Sequence, residues 1–311
     1  MKRDYDLMLR AAWVHYIEGR TQEAVAQELG LTRAKTNRLI AECRDLGYVR
    51  IGIATEARLA LREESELKKK FGLLDVWVIP QAGDPETAIR SVGIGAGAYI
   101  SEHLGADETL ALGWGRTVSA SVSGLQPRKS QGNRVVTLLG SMVRGNGLNS
   151  FDIASRYART LSAECCYLIA PRIADSAETA QYLLSQPYVQ EALAIAAKAD
   201  MALIGVDDLS VHSTLFQSGQ ISEENHAKLR AQGVQCVFQG VALDAAGDII
   251  IDPIARRTVT LSPEDFKKIP RRILTASGDR KAKSISAILK GGHCNILITD
   301  EQTALEVLSL D

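Results

Sequence analysis

The chain has 311 residues, 46% of them hydrophobic and 23% charged, with a formal net charge of −1. That length suits about two domains, and the composition is that of an ordinary soluble globular protein. No run of about 18 apolar residues occurs, which argues against a membrane-spanning helix, and the near-neutral charge argues against indiscriminate polyanion binding.

The charge is unevenly placed. Residues 1–55 hold nine Lys/Arg and seven Asp/Glu, a net +2, and the remainder carries a net −3. A module so weakly charged binds DNA poorly at physiological salt unless it works as a dimer or larger assembly. The first stretch, MKRDYDLMLRAAWVHYIEG, has acids interrupting its basic start and no apolar segment of the signal-peptide kind. The five cysteines, Cys43, Cys165, Cys166, Cys236 and Cys294, form no CxxC pair and no cluster with histidine. A structural zinc is therefore not expected, and a reducing cytoplasm is.

In chain order, residues 4–18 read as a helix with Leu7, Leu9, Trp13, Val14 and Ile17 available to cover the next element. Residues 21–40, TQEAVAQELGLTRAKTNRLI, read as a helix-turn-helix. Val25, Ala26 and Leu29 line one face of its first helix, and Ala26 is small where two helices must cross. Gly30 supplies the tight turn, since without a Cβ it takes φ > 0. Leu31 plugs the corner, Thr32 caps the second helix with its hydroxyl, and Leu39 and Ile40 anchor that helix. Its other face presents Arg33, Lys35, Asn37 and Arg38. With the Thr32 cap these are the candidate DNA-binding residues, of the kinds that reach phosphates and base edges in the major groove. The plainer alternative is a helical hairpin with a solvated charged face. Small residue, glycine turn, cap and basic face coincide at the right spacing, which favours double-stranded DNA. Thr36 departs from the pattern, standing where such helices bury Val or Ile. Its methyl can pack and its hydroxyl can bond back to the preceding turn.

Tyr48–Ile53 alternates and reads as a short strand, a wing after the second helix. Residues 56–71 read as a charged amphipathic helix with Leu59, Leu67 and Phe71 among its apolar positions. It would connect two domains; whether it also makes a dimer contact or is simply solvated stays open. From residue 74, short apolar runs alternate with helical stretches: LDVWVI, then 86–104; TLALGWG, then 117–124; RVVTLLG, then 150–163; CCYLIA, then 176–198; MALIGV; VQCVFQGVAL; RRILTAS, then 279–290; CNILITD, then 300–309. Continuous apolar strands separated by helices predict a mostly parallel sheet covered on both faces, with ligands beyond the carboxyl ends of the strands.

The loops after those strands carry the candidate site. Leu112-Gly113-Trp114-Gly115-Arg116-Thr117-Val118 follows a strand and opens a helix. Its glycines let a ligand approach the backbone, its helix start favours an anion, Thr117 offers a hydroxyl and Arg116 a charge. Leu139-Gly140-Ser141-Met142 offers a second donor loop, and the Asp207 and Asp208 carboxylates can accept hydroxyl hydrogen bonds. Lys281, after Ala276-Ser277-Gly278-Asp279-Arg280, would point back to the strand ends. Each has a plain structural alternative: a tight turn, an empty loop or a solvated lysine. Gly93-Ile94-Gly95-Ala96-Gly97-Ala98 matches a dinucleotide fingerprint but follows a helical rather than a strand-like segment, and close helix packing explains it better. The five scattered histidines make no metal spacing.

These pieces together resemble the SorC/DeoR-type sugar-binding transcriptional regulators of bacteria. The resemblance covers essentially the whole chain and rests on the helix-turn-helix followed by LGYVRI, the LGWGRTV loop, LLGS, IGVDD and KAKSISAILKGGHCNILITDEQTALEVL. It implies an α/β chain with a winged-helix-like DNA-binding domain (1–54), a connecting helix (55–72) and an effector-binding and oligomerisation domain (73–311). The last would be similar to NagB/RpiA-type sugar-phosphate isomerases. It further implies a homo-oligomer, dimer or tetramer, that controls a sugar or polyol operon, as a repressor, in answer to a phosphorylated sugar or polyol. Carried over by position, Gly113, Gly115, Arg116, Thr117, Gly140, Ser141 and Lys281 look like the phosphate-side contacts and Asp207 like a wall of the sugar pocket. The family's Gly-Asp-Ile segment corresponds to Gln235-Cys236-Val237-Phe238-Gln239-Gly240, with Val237 where the carboxylate would be. Either a nearby Gln takes over its hydroxyl contacts or the effector differs.

Two classes of function compete. A ligand-responsive regulator needs no catalytic residue, cofactor or metal. A sugar-phosphate isomerase with an appended domain needs a positioned base, for which Asp207 or Asp208 is on offer, but no carboxylate–histidine pair accompanies them. A helix-turn-helix serves the first and not the second.

Overall fold

The computed structural model describes residues 2–46, 48–49, 62–80, 83–142 and 148–310. Two compact units divide it, Met1–Ala54 and Thr55–Asp311.

The smaller unit holds α1 (Lys2–Tyr16), α2 (Gln22–Glu28) and α3 (Arg33–Asp45). Thr21 caps α2 by accepting the Ala24 N–H, and Thr32 caps α3 by accepting the Lys35 N–H. Gly30, at φ +63°, makes the turn between them. Val25, Leu39, Ile40 and Cys43 close a small core with Met8, Ala11, Ala12 and Val14. Two expectations for this unit change. Trp13 and Ile17 stay 61% and 67% exposed, so they do not cover the helix pair. A turn of 3.6 residues places Met8, Ala11 and Ala12 inward instead, and their smaller side chains let α1 sit close. Thr36 is fully buried, yet its hydroxyl finds no partner, so the expected bond to the preceding turn is not made. The proposed wing, from residue 50 onward, lies outside the described residues, as do 56–61 of the expected connector.

The first described element of the larger unit is α4 (Arg62–Phe71). Leu67 of α4 is fully buried in the large core, and Glu64 accepts the Val78 N–H at 2.8 Å. There follow β1 (Asp75–Ile79), α5 (Pro85–His103), β2 (Thr109–Leu112), α6 (Arg116–Ser121), β3 (Arg134–Thr137), α7 (Ser150–Leu161) and β4 (Glu164–Cys166). Next come α8 (Ala177–Leu184), α9 (Pro187–Ala197), β5 (Met201–Ile204), α10 (Thr214–Gln217) and α11 (Glu223–Ala231). A small antiparallel sheet is formed by β6 (Cys236–Phe238), β7 (Val241–Leu243) and β8 (Ile249–Ile250). The chain ends with α12 (Pro263–Lys268), β9 (Arg271–Thr275), α13 (Ala282–Lys290), β10 (Ile296–Asp300) and α14 (Glu301–Ser309).

The main sheet has seven strands in the order β1-β10-β9-β5-β2-β3-β4, each pair parallel. Both faces are covered, which is why its strands read as continuous apolar runs. Leu110 and Leu112 pack with Val92, Ile153 and Tyr157 on one face; Ala111 and Val78 pack with Ile285, Ile288 and Val307 on the other. The glycine-rich stretch lies inside α5, as expected. A Cβ on Gly93 would come within 2.5 Å of the Ala120 Cβ, so glycine there lets α5 and α6 touch.

Two segments expected as single elements are each divided in two. VQCVFQGVAL folds back on itself, because Gln239 (φ +49°) and Gly240 (φ +78°) form a two-residue turn of the kind that matches strand twist. Residues 176–198 make two helices, since Pro187 cannot continue a helix and starts the second.

From the centre of the main sheet the chain steps one way through β2, β3 and β4, and the other way through β5, β9 and β10. The loops after β2 and β5 therefore diverge, leaving a crevice at the strands' carboxyl ends.

Candidate effector site and recognition helix

A narrow cleft occupies that crevice. Gly115, Arg116 and Thr117 come to it from the loop after β2, Asp207 from the loop after β5, and Lys281 from the turn after β9. These five sequence-derived candidates thus meet at one place. Gly115, at φ +118°, turns the chain into α6. Thr117 is buried against the cleft, and Arg116 is ion-paired to Glu86.

The Lys281 ammonium makes no hydrogen bond or ion pair with any described residue; the residue's backbone N–H donates to the Gly278 carbonyl at 2.9 Å. Burial lowers its pKa, Asp208 and Asp207 oppose that shift, and Arg116 and Arg280 add to it. The ammonium thus faces the cleft short of a partner. Asp207 is differently placed. One of its carboxylate oxygens accepts the Leu209 N–H at 3.1 Å and the other the Leu215 N–H at 2.8 Å. It fastens its own loop as well as walling the cleft.

Three candidates stand elsewhere. Gly113 continues the ladder, donating its N–H to Leu203 at 2.9 Å, and a Cβ there would meet Ile204 at 2.9 Å. Gly140 lies against the 170–171 backbone, where a Cβ would be 2.6 Å from the Ala170 carbonyl oxygen. Ser141 donates to Asn149, the residue that caps α7, and opens onto a neighbouring depression with Met142 and Gln220.

The cleft also has a wall that the sequence reading left out. Arg172, 4% exposed, lies with its guanidinium carbon 3.7 Å from the centre of the Trp114 ring. It donates to Gln220 at 3.1 Å, and its Nε has no partner. Burial pushes its pKa down to about 9, with Asp207 the opposing charge, so it remains a cation at neutral pH. Val237 and Gln239 both line the cleft. The β6–β7 hairpin carries both, and two backbone bonds between Asp207 and Val237, at 3.0 and 3.1 Å, tie it to the loop after β5. A nearby Gln was one of the two alternatives for the missing carboxylate; Arg172 gave no signal beyond its place after a strand.

In the smaller unit, Arg33, Asn37 and Arg38 are exposed on α3 and Lys35 is half-buried. Arg33 lies 3.7 Å from Glu23, with both side chains well exposed. Such a contact is worth little in water and leaves the arginine available. Among the described residues no helix is long and apolar enough to cross a membrane, and no group of His, Cys, Asp and Glu is placed to hold a metal ion.

Comparison with known proteins agrees with this architecture. The family model described as "Putative sugar-binding domain" matches residues 56–309. The erythritol catabolism regulatory protein EryD of Brucella abortus (strain 2308) is 31% identical over 304 residues, covering 97% of this chain and 96% of that one. The transcriptional regulator LsrR of Escherichia coli (strain K12) is 33% identical over 308 residues, covering 96% and 93%. Among solved structures, the full-length sorbitol operon regulator SorC from Klebsiella pneumoniae has the same fold. It superposes with a TM-score of 0.75 at 23% identity and covers 99% of this chain and 100% of its own. The chain belongs to the SorC/DeoR family of sugar-binding transcriptional regulators.

Proposed function

We propose that this regulator binds a specific operator through α3 and controls a sugar or polyol catabolic operon as a repressor. In this reading a phosphorylated sugar or polyol, held in the cleft of the larger unit, sets the affinity for DNA. The protein acts as a homo-oligomer, dimer or tetramer, in the cytoplasm. The observation that carries the reading is the union, in one chain, of a doubly capped helix-turn-helix and a cleft where Lys281 is a cation in want of an anion. A phosphate at Thr117 and Lys281 supplies that anion by charge-assisted hydrogen bonds. EryD is named for erythritol catabolism, which points to a small linear polyol as the pathway's substrate here.

The enzyme reading is the weaker one. Both Asp207 oxygens are engaged by backbone N–H groups, so this carboxylate fastens its own loop rather than standing free to take a proton from a substrate.

The test is fluorescence anisotropy of the full chain on its own upstream DNA, with random DNA as control, across free and phosphorylated sugars and polyols. Preferential binding that one phosphorylated compound changes is the expected result. Preference unmoved by every compound would remove the effector role of the cleft, and no preference at all would remove the operator role of α3.

A further inference from the structure

The turn that carries Lys281 is fastened to α14. The Gly278 N–H, three residues before Lys281, is shared by two side chains at the start of that helix. The Thr303 hydroxyl accepts it at 2.9 Å and the Asp300 carboxylate at 3.3 Å. Those two side chains are themselves joined: Thr303 donates its hydroxyl to Asp300 at 2.6 Å, and Asp300 caps α14 by accepting the Thr303 N–H at 2.9 Å. A helix leaves its first N–H groups without partners inside the helix, and here the cap that meets this need also holds the cleft turn. Both side chains are buried, so water competes little for these bonds.

The other end of α14 meets the connector. Lys70, in the last turn of α4, donates to the Leu308 carbonyl at 3.0 Å and to the Leu310 carbonyl. A helix leaves its last carbonyls unpaired just as it does its first N–H groups. Between the two ends, Ala304 and Val307 are buried in the same core as Leu67 of α4. The nine residues of α14 span about 14 Å. One end holds the cleft turn, and the other holds the helix from which the chain runs back to the DNA-binding unit. The turn is also where bonds wait to be made. Four buried hydroxyls have no partner among the described residues, and three of them, Thr275, Ser277 and Ser284, flank Lys281 on β9, the turn and α13. With so many bonds unmade, this segment has the most to gain by rearranging once a ligand engages Lys281. Any shift in it pulls on Gly278, and so on α14.

We propose that α14 relays effector binding from the cleft turn to the connector α4, with Thr303 as the positioning residue at its cleft end and Lys70 at its connector end. Neither residue lines the cleft, and neither belongs to α3. The relay rests on the effector reading of the cleft and adds the route by which a bound effector acts.

The experiment compares the full chain with Thr303→Val and Lys70→Met. The probes are inorganic phosphate, erythritol 4-phosphate and ribitol 5-phosphate. Calorimetry gives the affinity for each probe, and fluorescence anisotropy on the upstream DNA gives operator affinity with and without saturating probe. The ratio of those two operator affinities is the coupling factor. In both variants, probe affinity and probe-free operator affinity should stay within about twofold of the parent, while the coupling factor falls threefold or more. A merely structural role would lower the melting temperature and leave that factor alone. Thr303 is buried, and if its variant fails to fold, Lys70→Met, at an exposed position, still decides. Variants that keep the parent's factor overturn the relay and leave the effector reading standing. A factor lost only together with probe affinity also overturns it, since the residues would then shape the cleft itself. A parent whose operator affinity no probe changes removes the effector reading, and the relay with it.

Discussion

Lys281 is the residue on which the phosphate reading turns. Its pKa is lowered from the ordinary 10.5 by burial, so a bound phosphate, which favours the ammonium, should raise it again. Binding should therefore take up protons, and affinity should fall as pH rises through the ligand-free pKa. Calorimetry across the alkaline range, where phosphate is already dianionic, in two buffers of different ionisation enthalpy measures this. Lys281→Met should lose roughly 1.5–3 kcal/mol of phosphate binding, the range for hydrogen bonds to charged groups. Unchanged affinity in that variant, with no proton uptake in the parent, would move the phosphate elsewhere. In the ligand-free protein the sign is fixed by proton count. The folded state holds fewer protons on Lys281 than the unfolded chain, so this group's contribution to stability grows with pH between its lowered value and 10.5. Gly140 is a different kind of residue. A Cβ there would press on the Ala170 and Pro171 backbone, which has no flexible end to yield. Gly140→Ala should cost about 1–3 kcal/mol, the range for overpacking, read as a fall in the urea midpoint. A variant of normal stability that had lost the ligand would restore Gly140 to the list of contacts.

At the scale of elements, α3 shows how local chemistry and packing can disagree. Its cap is conventional, and Thr32→Ala should cost about 1 kcal/mol. Thr36 on the next turn is buried with a hydroxyl that bonds to nothing. Thr36→Val keeps the shape and removes the unpaired group, so the smaller unit should gain up to about 1 kcal/mol, seen as a higher melting temperature. A loss of stability would mean that the hydroxyl has a partner after all. Much of the architecture was legible because strand and helix periods differ: apolar runs of four or five residues between helical stretches gave the parallel sheet, and its carboxyl-end loops gave Thr117, Asp207 and Lys281. What escaped notice depended on contacts distant in sequence. Nothing local marks Arg172 as stacked on Trp114, 58 positions earlier in the chain. The hairpin was missed because Gln239-Gly240 lacks the Asn or Asp that usually announces such a turn. Trp13 and Ile17 were assigned inward on hydrophobicity, which says nothing of which apolar face of α1 meets α2 and α3.

For the molecule as a whole, regulation is a coupling free energy between DNA on one unit and effector on the other, and it is reciprocal. If the effector weakens operator binding by some factor, saturating operator must weaken effector binding by that same factor. Couplings of this kind run to about 1–3 kcal/mol, or 5–150-fold. At effector concentrations that saturate the parent, the effect on operator binding should shrink in Lys281→Met, which binds the effector more weakly, while operator affinity without effector stays that of the parent. Arg33→Ala or Asn37→Ala should do the reverse, losing roughly 1–3 kcal/mol of operator binding where the side chain reads a base, with effector affinity intact. Paired titrations of the full chain, effector into protein with and without operator and operator into protein with and without effector, give both factors. Equal factors fit two sites linked through a change of state. Competition for one surface gives a factor that keeps growing as either ligand is raised, whereas two linked sites give a factor that levels off, so a factor without a plateau would take the effector out of the cleft and onto the DNA-binding surface.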